Sequence, residues 1–146
     1  MTTTSANPYS GYASTPAQLP TADNAYGARL TVYRAVITWA SQAAADTIKL
    51  MKLPKGVVPL VGLLNTDTST GSTTVSIGIN GTTAKYRALA ARTTTDAPEI
   101  FFKAAPNVSA GAMVPLASEE EILMTLAAAT APSSGTCTVD IICASI

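Results

Sequence analysis

The chain has 146 residues, a formal net charge of zero, no histidine, and 12% charged against 47% hydrophobic positions. That charged share is about half that of an ordinary soluble domain. Nine Lys+Arg balanced by nine Asp+Glu exclude a basic nucleic-acid footprint, and the missing histidine excludes histidine-based triads and metal ligands. A neutral surface favours association. The composition therefore points to an assembly component whose surface is covered by copies of itself or by a partner.

Residues 1–28 differ from the rest. They hold Pro8, Pro16 and Pro20, many Thr, Ser and Ala, and a single charge, Asp23. No helical or strand period runs through them, so they read as an extended N-terminal arm. The arm carries Tyr9, Tyr12 and Tyr26, three of the five tyrosines. Two readings stand: a disordered leader with incidental tyrosines, or an arm that orders on a neighbour and seats each ring in a groove. No secretory signal opens the chain, so synthesis in a cytoplasm without secretion is expected. The longest apolar runs, Val57 to Leu64 and Ile122 to Ala129, fall well short of the roughly 18 residues of a membrane span.

From Arg29 the chain reads as short strands. Arg29 to Trp39 is rich in β-branched and aromatic residues, and Thr47 to Leu53 follows a small-residue break. Pro54-Lys55-Gly56 marks a turn. Val57 to Asn65 is apolar almost throughout, which predicts burial on both faces, and Pro59 within it predicts an edge or a bulge. An apolar edge there would need a second subunit to cover it. Thr73 to Ile79 alternates, predicting a half-buried strand. Asn80-Gly81 is a hairpin signal that returns the chain through Ala84 to Leu89. Glu99 to Lys103, Glu120 to Ala127 and Gly135 to Ser145 complete the set. Ala43 to Lys52 and Ala88 to Ala91 are the weaker candidates for a helical turn. Eight strands with turn signals between them predict an all-β fold, an antiparallel β-sandwich of jelly-roll type over residues 29–146.

Chemistry-bearing motifs are sparse. Gly78-Ile79-Asn80-Gly81 lacks the lysine and the strand-to-helix context of a phosphate loop, and no cofactor motif is present. Glu119-Glu120-Glu121 is the one charge run. Its side chains alternate on a strand, so it reads as a solvated strand entry rather than a calcium site. Cys137 and Cys143 sit six residues apart on the last strand, a Cα separation of about 20 Å that no disulfide spans. They read as buried hydrophobes. Trp39 reads as core. Lys85 and Arg87 share a strand face, with Arg92 close behind. They read either as an exposed polar face or as a contact to an acidic partner surface.

Three segments carry a resemblance. Asp46 to Gly56 leads into an apolar strand, Gly71 to Ile79 leads into Thr83 to Ala88, and Glu121 to Leu126 runs on to Ser133-Ser134-Gly135-Thr136 and the final strand. Together, over residues 45–146, they resemble the jelly-roll capsid cement, or decoration, proteins of tailed bacteriophages. The resemblance implies a non-enzymatic virion protein, a homo-oligomer and specifically a trimer, bound to the major capsid protein on the capsid exterior, with neither nucleic acid nor membrane as partner. It supplies no catalytic, metal or ligand residue. The candidate partner-binding residues are Tyr9, Tyr12 and Tyr26 on the arm and Lys85, Arg87 and Arg92 on the domain. A tail, baseplate or fibre module and a carbohydrate-binding sandwich are the alternatives.

Overall fold

The computed structural model describes residues 29–101 and 115–145. Eight strands follow in chain order: β1 (Arg29–Thr38), β2 (Thr47–Leu53), β3 (Val57–Thr66), β4 (Thr74–Ile79), β5 (Thr82–Ala91), β6 (Glu99–Phe101), β7 (Glu120–Ala127) and β8 (Thr136–Ser145). The described residues contain no helix. Of the two candidates for a helical turn, Ala88 to Ala91 lies in β5, and Ala43 to Lys52 is a short turn at Ala44 and Ala45 that runs into β2. Pairing to β4 and β7 outweighs the weak helical preference of a short alanine run.

The strands form two four-stranded sheets, ordered β1-β8-β3-β6 and β2-β7-β4-β5. Each sheet draws alternately from both halves of the chain, so consecutive strands cross between sheets everywhere but at the β4–β5 hairpin. This is the strand order of an eight-stranded jelly roll. Leu30–Ser145 is one compact unit.

The alternation written in the sequence decides which side chains meet between the sheets. Cys137, Val139, Ile141 and Cys143 of β8 point inward, as do Ile37 of β1 and Leu64 of β3. Leu53, Val75, Ile77, Ile122, Met124 and Leu126 come from the opposite sheet, and all belong to one buried cluster. Both cysteines are buried and free. Trp39 closes one end of the core, its indole N–H donating to Thr66 Oγ1 at 3.3 Å. A buried indole N–H needs such a partner.

β3 runs between β8 and β6, but β6 pairs only with Gly62, Leu63 and Leu64, so Pro59 lies beyond the β6 ladder. The ladder to β8 slips between Pro59 and Val61, a bulge that accommodates the missing N–H. β4 departs from the half-buried expectation: Ser76 and Gly78 are buried as well as Val75 and Ile77. β5 explains part of this. It sets ten residues against the six of β4, and the excess is absorbed in two register shifts. At the second shift the β5 backbone folds against Gly78, where a Cβ would lie 2.2 Å from the Thr82 carbonyl oxygen. The Asn80-Gly81 turn joins the two strands, Ile79 facing Thr82, with Gly81 at φ +80°.

Candidate functional site

The basic residues on β5 do not form one free face. Lys85 and Arg87 are both drawn into the domain, each to its own carboxylate. Lys85 Nζ pairs with Glu120 Oε1 and sits 5.2 Å from the centre of the Tyr86 ring. Tyr86 donates its hydroxyl to Glu120 Oε2 at 2.5 Å. Burial first, and then the Glu120 carboxylate, hold the Tyr86 phenol well above its ordinary range.

Arg87 takes a different carboxylate. Only 4% of its side chain is exposed. Its guanidinium meets Glu99 of β6 through Nε–Oε1 at 2.9 Å and Nη2–Oε2 at 3.0 Å. Nη1 donates to the carbonyls of Val75 and Ala90. Arg92 Nη2 donates to the Ala97 carbonyl, and its Nε lies 3.8 Å from Glu99 Oε2. All three basic residues are thus engaged within the domain, and Glu99 and Glu120 are their partners. Sequence reasoning missed both carboxylates, because neither spacing nor period links β5 to β6 or β7. Tyr9, Tyr12 and Tyr26 lie outside the described residues.

The glutamate run is not uniformly solvated. Glu119 pairs with Lys52 and Glu121 with Lys49, each at 3.1 Å and largely exposed. Glu120 points to the lysine and tyrosine of β5 and keeps only 13% of its side chain exposed. Opposite charges in β2 and β5 divide the three carboxylates, instead of one cation gathering them. Among the described residues no three His, Cys, Asp or Glu side chains converge on one point.

The surface that the sequence did not single out is the outer face of β1-β8-β3-β6. Arg34 of β1 reaches Asp140 of β8 in a two-pronged pair, Nε–Oδ1 2.7 Å and Nη2–Oδ2 2.8 Å. The Asp140 hydrogen bond and charge raise the Arg34 pKa further above its ordinary value. This pair, with Leu63, Asn65, Thr138 and Pro98, lines an open groove of about 360 Å³ that crosses β1, β8 and β3 and reaches the residue before β6. Asn65 Oδ1 is buried beneath it without a hydrogen-bond donor. Beside the groove stand Leu30, Val32 and Val36 of β1, exposed at 68%, 55% and 63%, and Ile100 of β6. Among the described residues, four of the five large exposed hydrophobic side chains therefore lie on this one face, the fifth being Leu89. A signal existed: residues 30–37 are apolar at both odd and even positions, more than one core face requires.

No protein-family model matches the chain, and no curated protein matches its sequence. The fold is shared with solved structures. A chain of the capsid asymmetric unit of cyanophage Pam1 superposes with a TM-score of 0.68 at 17% identity, over 91% of this chain and 96% of that one. A chain of the capsid of Ralstonia phage GP4 does so with a TM-score of 0.62 at 18% identity, over 81% and 85%. At these identities the likeness is one of fold.

Proposed function

We propose that this chain is a non-enzymatic structural protein of a bacteriophage virion. It binds the outer surface of the capsid shell as an oligomer, a trimer in the arrangement the cement-protein resemblance implies, and stabilises the shell. The observation that carries this reading is the extent of the fold match: the jelly roll aligns with nearly the whole of a chain found in a phage capsid. The neutral, charge-poor composition supports it, since such a surface favours association.

Chemistry is disfavoured on physical grounds. Burial pushes the Cys137 thiol up to about 12 and the Cys143 thiol up to about 11, so neither is a thiolate at neutral pH. The function is mechanical. A protein that binds the assembled lattice and not its dissociated subunits stabilises the lattice by mass action. Several linked copies convert weak contacts into tight attachment. The major capsid protein is the partner, and the arm tyrosines Tyr9, Tyr12 and Tyr26 make the contact with it. Lys85, Arg87 and Arg92 serve this contact indirectly, by fixing the β5 edge through their internal ion pairs.

The test is to add purified protein to capsids stripped of accessory proteins and measure saturable binding and the temperature of shell disruption. Saturation at a fixed ratio to the major capsid protein, with a higher disruption temperature, is the expected result. Binding to isolated tails instead, or to neither, overturns the reading.

A further inference from the structure

We infer that the outer face of β1-β8-β3-β6, centred on β1, is the surface through which a second copy of this chain docks. The inference rests on the oligomeric part of the function proposed above and names the face that would carry it.

The four sheet edges differ in how they are protected. β2 carries Lys49 and Lys52 and a register shift between Lys49 and Met51. β5 is twice bulged against β4. β6 follows directly on Pro98. Charges, bulges and proline are among the devices that keep an edge from pairing with another chain. β1 carries Arg29 and Arg34, but Asp140 of β8 pairs with Arg34. β1 is ten residues long, holds no proline, and pairs among the described strands only with β8. It also displays Leu30, Val32 and Val36 toward solvent. A long apolar edge with clustered exposed side chains marks an interaction surface.

Charge decides what kind of partner fits. Arg34 is the cation in the middle of the face, and Asp140 neutralises it at 2.7 Å. The chain as a whole carries no net charge. Two such faces therefore approach without like-charge repulsion, whereas a strongly acidic or basic partner finds nothing complementary here. The size is adequate for a second copy. β1, β8 and β3 have ten residues each, giving a face about 33 Å long and roughly 15 Å wide. That footprint of about 500 Å² compares with about 800 Å² per partner in a standard interface, and the β1 edge adds to it. The groove at Arg34 and Asp140 receives side chains, and Asn65 Oδ1 accepts a donor from the docked copy.

The experiment compares the full chain with its V32K/V36K variant and, as a control, with Leu89→Lys on the opposite sheet. Light scattering gives the mass of each. Far-ultraviolet circular dichroism and a thermal melt establish that each variant is folded. Amide hydrogen exchange of β1 is followed over a hundredfold range of protein concentration. The expected result is a multimeric parent, a folded V32K/V36K protein at the 14.9 kDa monomer mass, and a multimeric L89K protein. Exchange at β1 in the parent should slow at least tenfold at the higher concentration. A multimer that survives V32K/V36K overturns the face and leaves the oligomeric reading standing. A monomeric parent overturns both. Protection of β1 that does not depend on concentration means the chain covers the face with itself, and overturns docking of a second copy.

Discussion

Arg87 on β5 and Glu99 on β6 form a two-pronged ion pair between the edge strands of the two sheets. The strands are not hydrogen-bonded to one another, so the pair clasps the open side of the sandwich. Arg87 is almost wholly buried, and its remaining donors are taken by main-chain carbonyls of β4 and β5. Removing the carboxylate leaves a buried cation without its counter-charge, which costs more than the pair itself contributes.

Glu99→Ala should therefore destabilise by about 2–4 kcal/mol, toward the low end because Glu99 is partly exposed and water screens it. The double variant R87M/E99L should recover at least half of that loss. Chemical denaturation of the three proteins measures it. Equal midpoints for the parent and Glu99→Ala would mean that the clasp contributes nothing.

Much of the fold was legible because it depends on local pattern. Cys137, Val139, Ile141 and Cys143 alternate with polar residues, and alternation alone places them inward. Asn80-Gly81 states its own turn. The site was less legible because it depends on where edges meet. Lys85 and Arg87 read as an exposed polar face or a partner contact, but each is taken up by a carboxylate of another strand, Glu120 of β7 and Glu99 of β6, which neither period nor spacing within β5 foretells. Pro59 allowed an edge or a bulge, and the structure shows a bulge against β8 at a point the β6 ladder does not reach. The apolar outer face of β1 was visible as surplus hydrophobicity in residues 30–37, yet without the sheet order nothing separates surplus from core.

Stability should fall on the alkaline side. The thiols of Cys137 and Cys143 have an ordinary value of 9.0, and burial raises them in the folded chain to about 12 and about 11. Above pH 9 the unfolded chain releases these protons while the folded chain keeps them. The unfolded state then binds fewer protons, so unfolding becomes more favourable as pH rises. The contribution is whole below about pH 9 and lost progressively through pH 11 to 12. Tyr86, raised by burial and by Glu120, adds to the decline above pH 10. Denaturant midpoints at pH 8, 9, 10 and 11 should fall for the parent and fall less steeply for C137A/C143A. Identical slopes would show that the thiols titrate alike in both states.

Gly78 should tolerate no side chain. A Cβ there meets main-chain atoms of Thr82 and Thr83 at 2.2 to 2.6 Å, and backbone cannot swing aside. Gly62 is also crowded, but by the Phe101 ring at 2.1 Å, which can move. Overpacking of a closed site costs about 1–3 kcal/mol or more. Gly78→Ala should therefore lose about 3 kcal/mol and Gly62→Ala clearly less. Parallel thermal melts of the two variants decide the order, and a smaller loss at Gly78 would mean the β5 backbone is not held against it.

The arm offers a separate test of the proposed contact with the shell. Residues 1–28 hold one charge, three prolines and three tyrosines, a composition that gives a folded core little to bury but gives a partner several amphipathic rings. Leu30–Ser145 forms a compact unit by its own contacts, so deleting residues 1–28 should leave its thermal transition within a few degrees of the parent. Attachment should weaken instead. A ring buried at the centre of an interface contributes about 1–2 kcal/mol, and avidity multiplies the loss across linked copies. Capsids incubated with the truncated protein should show at least tenfold lower affinity at unchanged saturation. Replacing Tyr9, Tyr12 and Tyr26 by serine in the full-length chain should reproduce most of that loss. Parent-like affinity in both proteins would remove the arm from the contact and move it to the sandwich.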